Sequence, residues 1–362
     1  MIRVAIAGVG NCAASLVQAL SAARRGALNG VMRPRIGRWR VEDISIVAAF
    51  DVDRRKVGRT VGEAAAAPPN CTGVRADELS EHQALVQMAP IMDGIAAHMA
   101  HYPEAQAFRA AKIAPVDVAG ALRAAEAEIL VCYLPVGSIE AVSHFAHACL
   151  EAHVALVNCV PVFIASEPTW AARFAEAGLP VLGDDVKSQL GATILHRTLA
   201  ELFDRRAVRI ERTYQLNTGG NTDFLNMLAH ERLSTKRRSK TQAVQSALRK
   251  PLPADNVHIG PADYVPWQKD NKVCFLRIEG KGLGDAPVEL ELRLSVQDSP
   301  NSAGVVLDAI RCAKLALERG VSGALVEPSA AFMKSPPRPL SEFEAEETCD
   351  RFIAHLAGPA DG

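Results

Sequence analysis

The sequence predicts an α/β protein in which a parallel-sheet domain is interrupted by an inserted α+β domain built on an antiparallel sheet. Three observations carry this. The first half alternates short, uniformly apolar runs with longer helical stretches, as strands buried on both faces of a parallel sheet do. After about residue 206 the apolar residues switch to period two, the mark of strands with one buried and one wetter face. A long helical pattern then returns near residue 299. The expected boundaries are 1–200 with 298–362 for the parallel-sheet domain, and 201–297 for the insert.

In chain order, strands are expected at 3–7 (RVAIA), 44–50 (ISIVAAF), 129–133 (ILVCY), 154–158 (VALVN) and 180–182 (PVL). Residues 140–151 and 166–177 suit crossover helices. The stretch 52–126 resists the pattern, and "AAAAPPNCTG" within it reads as irregular. Further on, "VRIERTYQL" sets Val208, Ile210, Tyr214 and Leu216 on one side. In "VELELRLSV", Val288, Leu290, Leu292, Leu294 and Val296 alternate with mostly polar neighbours. The segment "SPNSAGVVLDAIRCAKLALERG" then reads as a helix begun by Ser or Asn and stopped by Gly320.

Bulk properties bound the function. A chain of 362 residues exceeds what one hydrophobic core usually serves, so two domains are natural. The formal net charge of −1 gives no global field toward nucleic acid or membrane. Eight cysteines without a CxxC pair suit reduced thiols rather than a disulfide framework. No apolar run approaches the ~18 residues a membrane span needs. "IRVAIAGVG" enters a strand directly, without a signal peptide's features. A soluble, cytoplasmic protein is expected.

The motif "VAIAGVGNCAAS" fits G-x-G-x-x-A, with Gly8, Gly10 and Ala13 between a strand and a helix. Gly8 permits the tight turn and Gly10 lets the backbone approach a pyrophosphate. The helix opening at Asn11 and Cys12 attracts the anion. This is a Rossmann-type dinucleotide site. The acidic residue for the ribose hydroxyls is Asp51, which stands 41 residues past Gly10 rather than the usual ~20. A surface insertion, "RRGALNGVMRPRIGRWRVED", accounts for the excess. Asp51 favours NAD over NADP. Arg54 and Arg55 leave a 2′-phosphate reading open beside the plainer one of solvent-exposed charges. In "CYLPVGS", Pro135, Gly137 and Ser138 either border the nicotinamide or only make a turn.

Polar clusters punctuate the second half: "GDDVKSQLG", "NTGGNTDFLN", "STKRRSK" and "QDSPNSAG", with Lys272 in "KDNK" and Lys334 in "FMKSPP". Taken singly, each reads as a turn, a cap or a solvated charge. Together, "GDDVKSQLGAT", "LNTGGNTDFLNM", "STKRRSKTQAV", "HIGPADYVPW", "DSPNSAG" and "MKSPP" resemble the signature blocks of myo-inositol-1-phosphate synthase, in its shorter actinobacterial and archaeal-type branch. The resemblance runs in order from residue 2 to about 337, and the last ~25 residues carry no comparable block.

The resemblance implies an NAD-dependent isomerase, or intramolecular lyase. It would cyclise D-glucose 6-phosphate to 1D-myo-inositol 3-phosphate by oxidation at C5, enolisation, aldol closure and re-reduction. It also implies a homotetramer assembled through the antiparallel sheet, and either a monovalent (ammonium or potassium) or a divalent cation activator. Inositol phospholipid biosynthesis is one use of such a product. By the same carry-over, Lys240 and Lys272 stabilise the C5 and C1 oxyanions, while Lys236 and Lys334 serve proton transfers and phosphate contacts. On a helix Lys236 and Lys240 would share a face. Asp185, Asp298, Ser188, Asn217, Asn221 and Asp223 match active-site positions. Asp184, Lys187, Ser302 and Asp308 are placed near the cofactor. The metal ligands stay unassigned, and the pairs His98/His101 and His144/His147 read as ordinary histidines. Rival readings are a semialdehyde or amino-acid dehydrogenase, and a non-catalytic NAD-binding regulator. Neither calls for four separate lysines.

Overall fold

The computed structural model describes residues 1–73, 76–229, 232 and 251–358. In chain order the strands are β1 (Ile2–Ala7), β2 (Ile44–Asp51), β3 (Val86–Met88), β4 (Ile129–Cys132), β5 (Ala155–Asn158), β6 (Pro180–Leu182), β7 (Arg209–Gly219), β8 (Val257–Tyr264), β9 (Asn271–Lys281), β10 (Pro287–Gln297) and β11 (Gly323–Ala324). The α-helices are α1 (Asn11–Arg24), α2 (Val61–Ala66), α3 (Val118–Ala124), α4 (Ile139–Ala152), α5 (Pro168–Glu176), α6 (Ala192–Arg205), α7 (Thr222–Asn226), α8 (Asp298–Glu318), α9 (Val326–Phe332) and α10 (Glu342–Ala357).

β1 to β6 and β11 form one parallel sheet in the order β11-β6-β5-β4-β1-β2-β3. Its reversal at β1 and β4 is the Rossmann switch point, where ligands bind beyond the strands' carboxyl ends. Alternate residues serve opposite faces. Ile2, Val4 and Ile6 join the core under α1 and α8, while Ala5 and Ala7 join Phe145 and Phe174 from α4 and α5. The expected strands and crossover helices fall within two residues of those observed. In the irregular stretch the structure adds β3, which pairs with β2 through Ala49–Val86 and Asp51–Met88. Three residues are too few to show a period.

The chain leaves this sheet after β6 and rejoins it at β11. Between them lies a second sheet, β10-β9-β7-β8. Its β7–β9 and β9–β10 pairs are antiparallel as expected, but β7–β8 is parallel, so the sheet is mixed. Ala192, Ala200 and Phe203 of α6 pack with Ile210, Cys274, Leu276 and Ile278. The boundary expected at residue 201 therefore cuts a helix whose apolar side belongs to the second core. β10 runs directly into α8, which packs along α1. Gly320, at φ +65°, ends that helix, with the Val321 N–H donating to the Ala316 carbonyl at 2.9 Å.

Candidate active site

One wall of the cleft is the glycine turn after β1. Gly8 sits at φ +90°, and a Cβ there would lie 2.9 Å from the Tyr133 carbonyl oxygen, so only glycine fits. Gly10 has open space where its Cβ would stand, and it lines the cleft with Asn11 and Cys12. The positive end of α1 therefore opens onto the cleft, as a diphosphate requires. Burial pushes the Cys12 thiol up to about 12, so it stays neutral. Ser302 lies over it, with Oγ 3.6 Å from the sulfur.

Asp51 lines an adjoining, mainly apolar slot with Phe50, Val52, Ala89, Pro90 and Ile91. Its carboxylate accepts from the N–H groups of Val9 at 2.8 Å, Val52 at 2.7 Å and Asp53 at 2.8 Å. A carboxylate has about four acceptor positions, which leaves capacity for a ribose hydroxyl. Both neighbouring arginines are already engaged. Arg54 is exposed, as the plainer reading has it, and pairs with Glu104 at 2.6 Å. Arg55 is instead mostly buried against Asp53, at 2.5 and 2.8 Å. These residues fit a dinucleotide with a free 2′-hydroxyl.

The same cleft, with a cavity of about 180 Å³, is lined by two lysine–carboxylate pairs. The antiparallel register sets Lys272 of β9 opposite Val296 of β10, and Asp298 follows two residues later as the first of α8. Lys272 Nζ then donates to Asp298 at 3.1 and 3.4 Å. In the second pair, Lys334 Nζ donates to Asp185 Oδ1 at 2.9 Å. Asp185 adopts φ +62°, a left-handed conformation that Asp and Asn tolerate better than most side chains.

Ser188, Asn217, Asn221 and Asp223 also line this cleft. Asn217 donates to the Gly260 carbonyl at 2.9 Å. Asn221 caps α7, accepting from the N–H groups of Asp223 and Phe224, and donates to Asp270 at 3.0 Å. Asp270 stands in "KDNK" but was passed over in the sequence. Its carboxylate accepts from Ser299 Oγ at 2.7 Å and Ser299 N–H at 3.0 Å, bracing the start of α8 behind Lys272. Burial raises its pKa. The signal was its place two residues before Lys272.

Several expected cofactor contacts face elsewhere. Pro135 lines the cleft, but Gly137 and Ser138 pack against Arg232. A Cβ on Gly137 would meet Arg232 Cβ at 2.6 Å, and Ser138 Oγ accepts from its guanidinium at 3.3 Å. Asp184 is wholly buried, tying down 158–166 by accepting from Asn158 Nδ2, three backbone N–H groups and Ser166 Oγ. Lys187 points away into an ion pair with Glu342 at 2.8 Å and onto the Ala330 carbonyl. Asp308 is held by Arg311 at 2.5 Å and Arg33 at 3.0 Å. In all three the charge is taken up by partners inside the protein: neutral donors for Asp184, Glu342 for Lys187, and two arginines for Asp308. Lys236 and Lys240 lie outside the described residues. Among the described residues no group of three or more His, Cys, Asp or Glu is placed to hold a metal ion, and no helix is long and apolar enough to cross a membrane.

Residues 191–299 match the family model described as Myo-inositol-1-phosphate synthase. The inositol-3-phosphate synthase of Mycobacterium tuberculosis (strain CDC 1551 / Oshkosh) is 48% identical over 356 residues, covering 97% of this chain and 95% of that one. That of Corynebacterium glutamicum is 48% identical over 362 residues, covering 97% and 98%. A solved myo-inositol-1-phosphate synthase-related protein from Thermotoga maritima shares the fold, with a TM-score of 0.81 at 24% identity over 98% of each chain. At this identity along almost its whole length, the chain belongs to the myo-inositol-1-phosphate synthase family.

Proposed function

We propose that this protein is an NAD-dependent inositol-3-phosphate synthase that cyclises D-glucose 6-phosphate to 1D-myo-inositol 3-phosphate. The observation that carries the reading is the meeting of Lys272–Asp298 and Lys334–Asp185 in the cleft onto which Gly10, Asn11 and Cys12 open. Two oriented cations beside a dinucleotide site suit a reaction whose charge develops on sugar oxygens.

Gly10, Asn11 and Cys12 would hold the diphosphate of NAD at the positive end of α1, and Asp51 its adenosine ribose. NAD supplies a hydride acceptor at C5 that is restored when the ring has closed. Oxidation makes C5 a ketone, which acidifies the C6–H bond. Loss of that proton puts charge on O5, and attack of C6 on the C1 aldehyde moves charge to O1. A proton delivered to O1 completes the ring, and return of the hydride to C5 with a proton to O5 would restore the alcohol, so that no net redox change remains.

Lys272 is assigned to the oxyanions, because a fixed ammonium stabilises developing charge without reorganising. Asp298 keeps that ammonium aimed, and Asp185 does the same for Lys334, which is assigned to proton transfer and phosphate contact. Lys236 and Lys240 are assigned to the same site by resemblance. Ser188, Asn217, Asn221 and Asp223 are assigned to the sugar chain. The functional unit is proposed to be a homotetramer assembled through the second sheet, with α6 counted in that catalytic and assembly domain.

Phosphorus NMR with glucose 6-phosphate and catalytic NAD tests the reading, run with ammonium and with or without zinc or magnesium. An inositol phosphate resonance without growth at 340 nm is expected. Steady accumulation of NADH would instead identify a dehydrogenase, and unchanged sugar under every cation condition would sink the synthase reading.

A further inference from the structure

Lys56 is wholly buried, in the turn just past β2, and the reaction described above makes no use of it. Its ammonium donates to the Val9 carbonyl at 2.7 Å and to Asn70 Oδ1 at 2.9 Å. Asn70 Nδ2 donates to the same Val9 carbonyl at 3.1 Å and to that of Ala65 at 2.9 Å. On its other side Val9 gives its N–H to Asp51 at 2.8 Å. Val9 stands between Gly8 and Gly10, so side chains hold both of its backbone polar groups. The next residue but one is tied as well, since Asn11 Oδ1 accepts from the Cys71 N–H at 2.7 Å. Residues 51–71 thus clasp the glycine turn from below.

A carbonyl needs a donor, not a charge, and burying an ammonium is costly. Burial lowers the Lys56 pKa, against the pull of Asp51 and Asp53 and with a smaller push from Arg55. The amine sits on the carbonyl of the residue between Gly8 and Gly10, directly behind the backbone that opens onto the diphosphate site. We propose that Lys56 is a positioning residue for the dinucleotide: it fixes the Val9 carbonyl, so that Gly10 and Asn11 are preset for the diphosphate, and adds its charge to the positive end of α1. The inference rests on the cofactor reading above.

Titration calorimetry with NAD on the full chain, beside steady-state kinetics with glucose 6-phosphate, tests it. Lys56→Met keeps an unbranched side chain one atom shorter and removes its charge and donor. It is expected to raise the Kd and KM for NAD by about 30-fold, with kcat at saturating NAD within threefold of the wild type. A merely structural lysine would lower the melting temperature without that split. Asn70→Ala loosens the same carbonyl while leaving the charge, and a rise of about fivefold in Kd is expected. That variant keeps the test decisive if Lys56→Met does not fold. Kd values for NAD within twofold of wild type in whichever variants fold would overturn the inference alone. A wild-type protein that binds no NAD would overturn the cofactor reading, and this inference with it.

Discussion

Lys334 and Asp185 are joined twice. The Lys334 N–H donates to the Asp185 carbonyl at 2.7 Å, and its ammonium donates to the Asp185 carboxylate at 2.9 Å. A bridge between Val186 and Met333 continues the pairing. The main chain therefore sets where the lysine starts and the carboxylate sets where it ends, so the cation is presented to the cleft with little freedom left to lose. Lys272 is held by the Asp298 carboxylate, with its ammonium 5.9 Å from the centre of the Phe224 ring, and its strand is anchored by the full β9–β10 ladder.

Removing either cation should therefore act on the chemical step. Lys334→Met and Lys272→Met are each expected to lower kcat by about 10²–10³, with the Kd for NAD within threefold of wild type. Turnover is read from inositol phosphate formed, and NAD binding from calorimetry. A kcat within tenfold of wild type in either variant would remove that lysine from the reacting oxygens.

Cofactor choice should follow from Asp51 and from the engagement of its neighbours. A 2′-phosphate would meet the Asp51 carboxylate, while Arg54 and Arg55 are committed to Glu104 and Asp53. The wild type is expected to show a KM for NADP at least about 100-fold above that for NAD, as repulsion in a partly buried site allows. Similar KM values would mean that Arg54 leaves its exposed partner to bind the phosphate.

What could be read from the chain divides along the same lines. The glycine turn was legible because Gly8, Gly10 and α1 are contiguous, and their geometry is local. Lys272–Asp298 and Lys334–Asp185 join residues 26 and 149 apart, so periodicity offers no route to them, and resemblance to known blocks named the four residues without their pairing. Two charged residues named with those blocks lie away from the cleft in the structure. Lys187 and Asp308 sit in or after such blocks, yet their partners Glu342, Arg33 and Arg311 lie far along the chain or a helical turn away. β8 escaped because Pro261 interrupts "NVHIGPADY", and a proline inside a strand is tolerated chiefly at a sheet edge, which is where β8 lies.

Glu342 gives a stability prediction from the segment beyond the recognisable blocks. It begins α10, and its carboxylate meets Lys187 at 2.8 Å and Arg197 at 2.5 Å, all three mostly buried. Glu342→Ala removes the carboxylate from both cations, leaving Lys187 on the Ala330 carbonyl and Arg197 on that of Leu340. A loss of about 3–5 kcal/mol is expected, read as a lower denaturation midpoint in urea. A change below about 1 kcal/mol would show that water enters and solvates the pair.

His196 supplies the pH prediction. It lies wholly buried on α6, with Nδ1 3.3 Å from Gln215 Oε1 and Nε2 2.8 Å from Thr213 Oγ1. Burial lowers its pKa from 6.5 to about 4, only partly offset by the bond to Gln215. The unfolded chain thus binds a proton at a pH where the folded protein does not. The contribution of the neutral ring is fully present above pH 6.5 and is lost as pH falls toward 4. By pH 5 about 2 kcal/mol of it has been lost. Urea unfolding at pH 7.5 and 5.0 should therefore show wild type losing about 2 kcal/mol more than His196→Gln, which cannot take up the proton. Because every other titrating group is common to both proteins, equal losses would mean that His196 is protonated, or reached by water, in the fold. Gln215 lines the active-site cleft and donates to Asn217 at 3.4 Å, so a protonated His196 would also pull on the sugar-binding side. The KM for glucose 6-phosphate should then hold steady down to pH 5 and rise only as pH nears 4 in wild type, staying flatter in the variant.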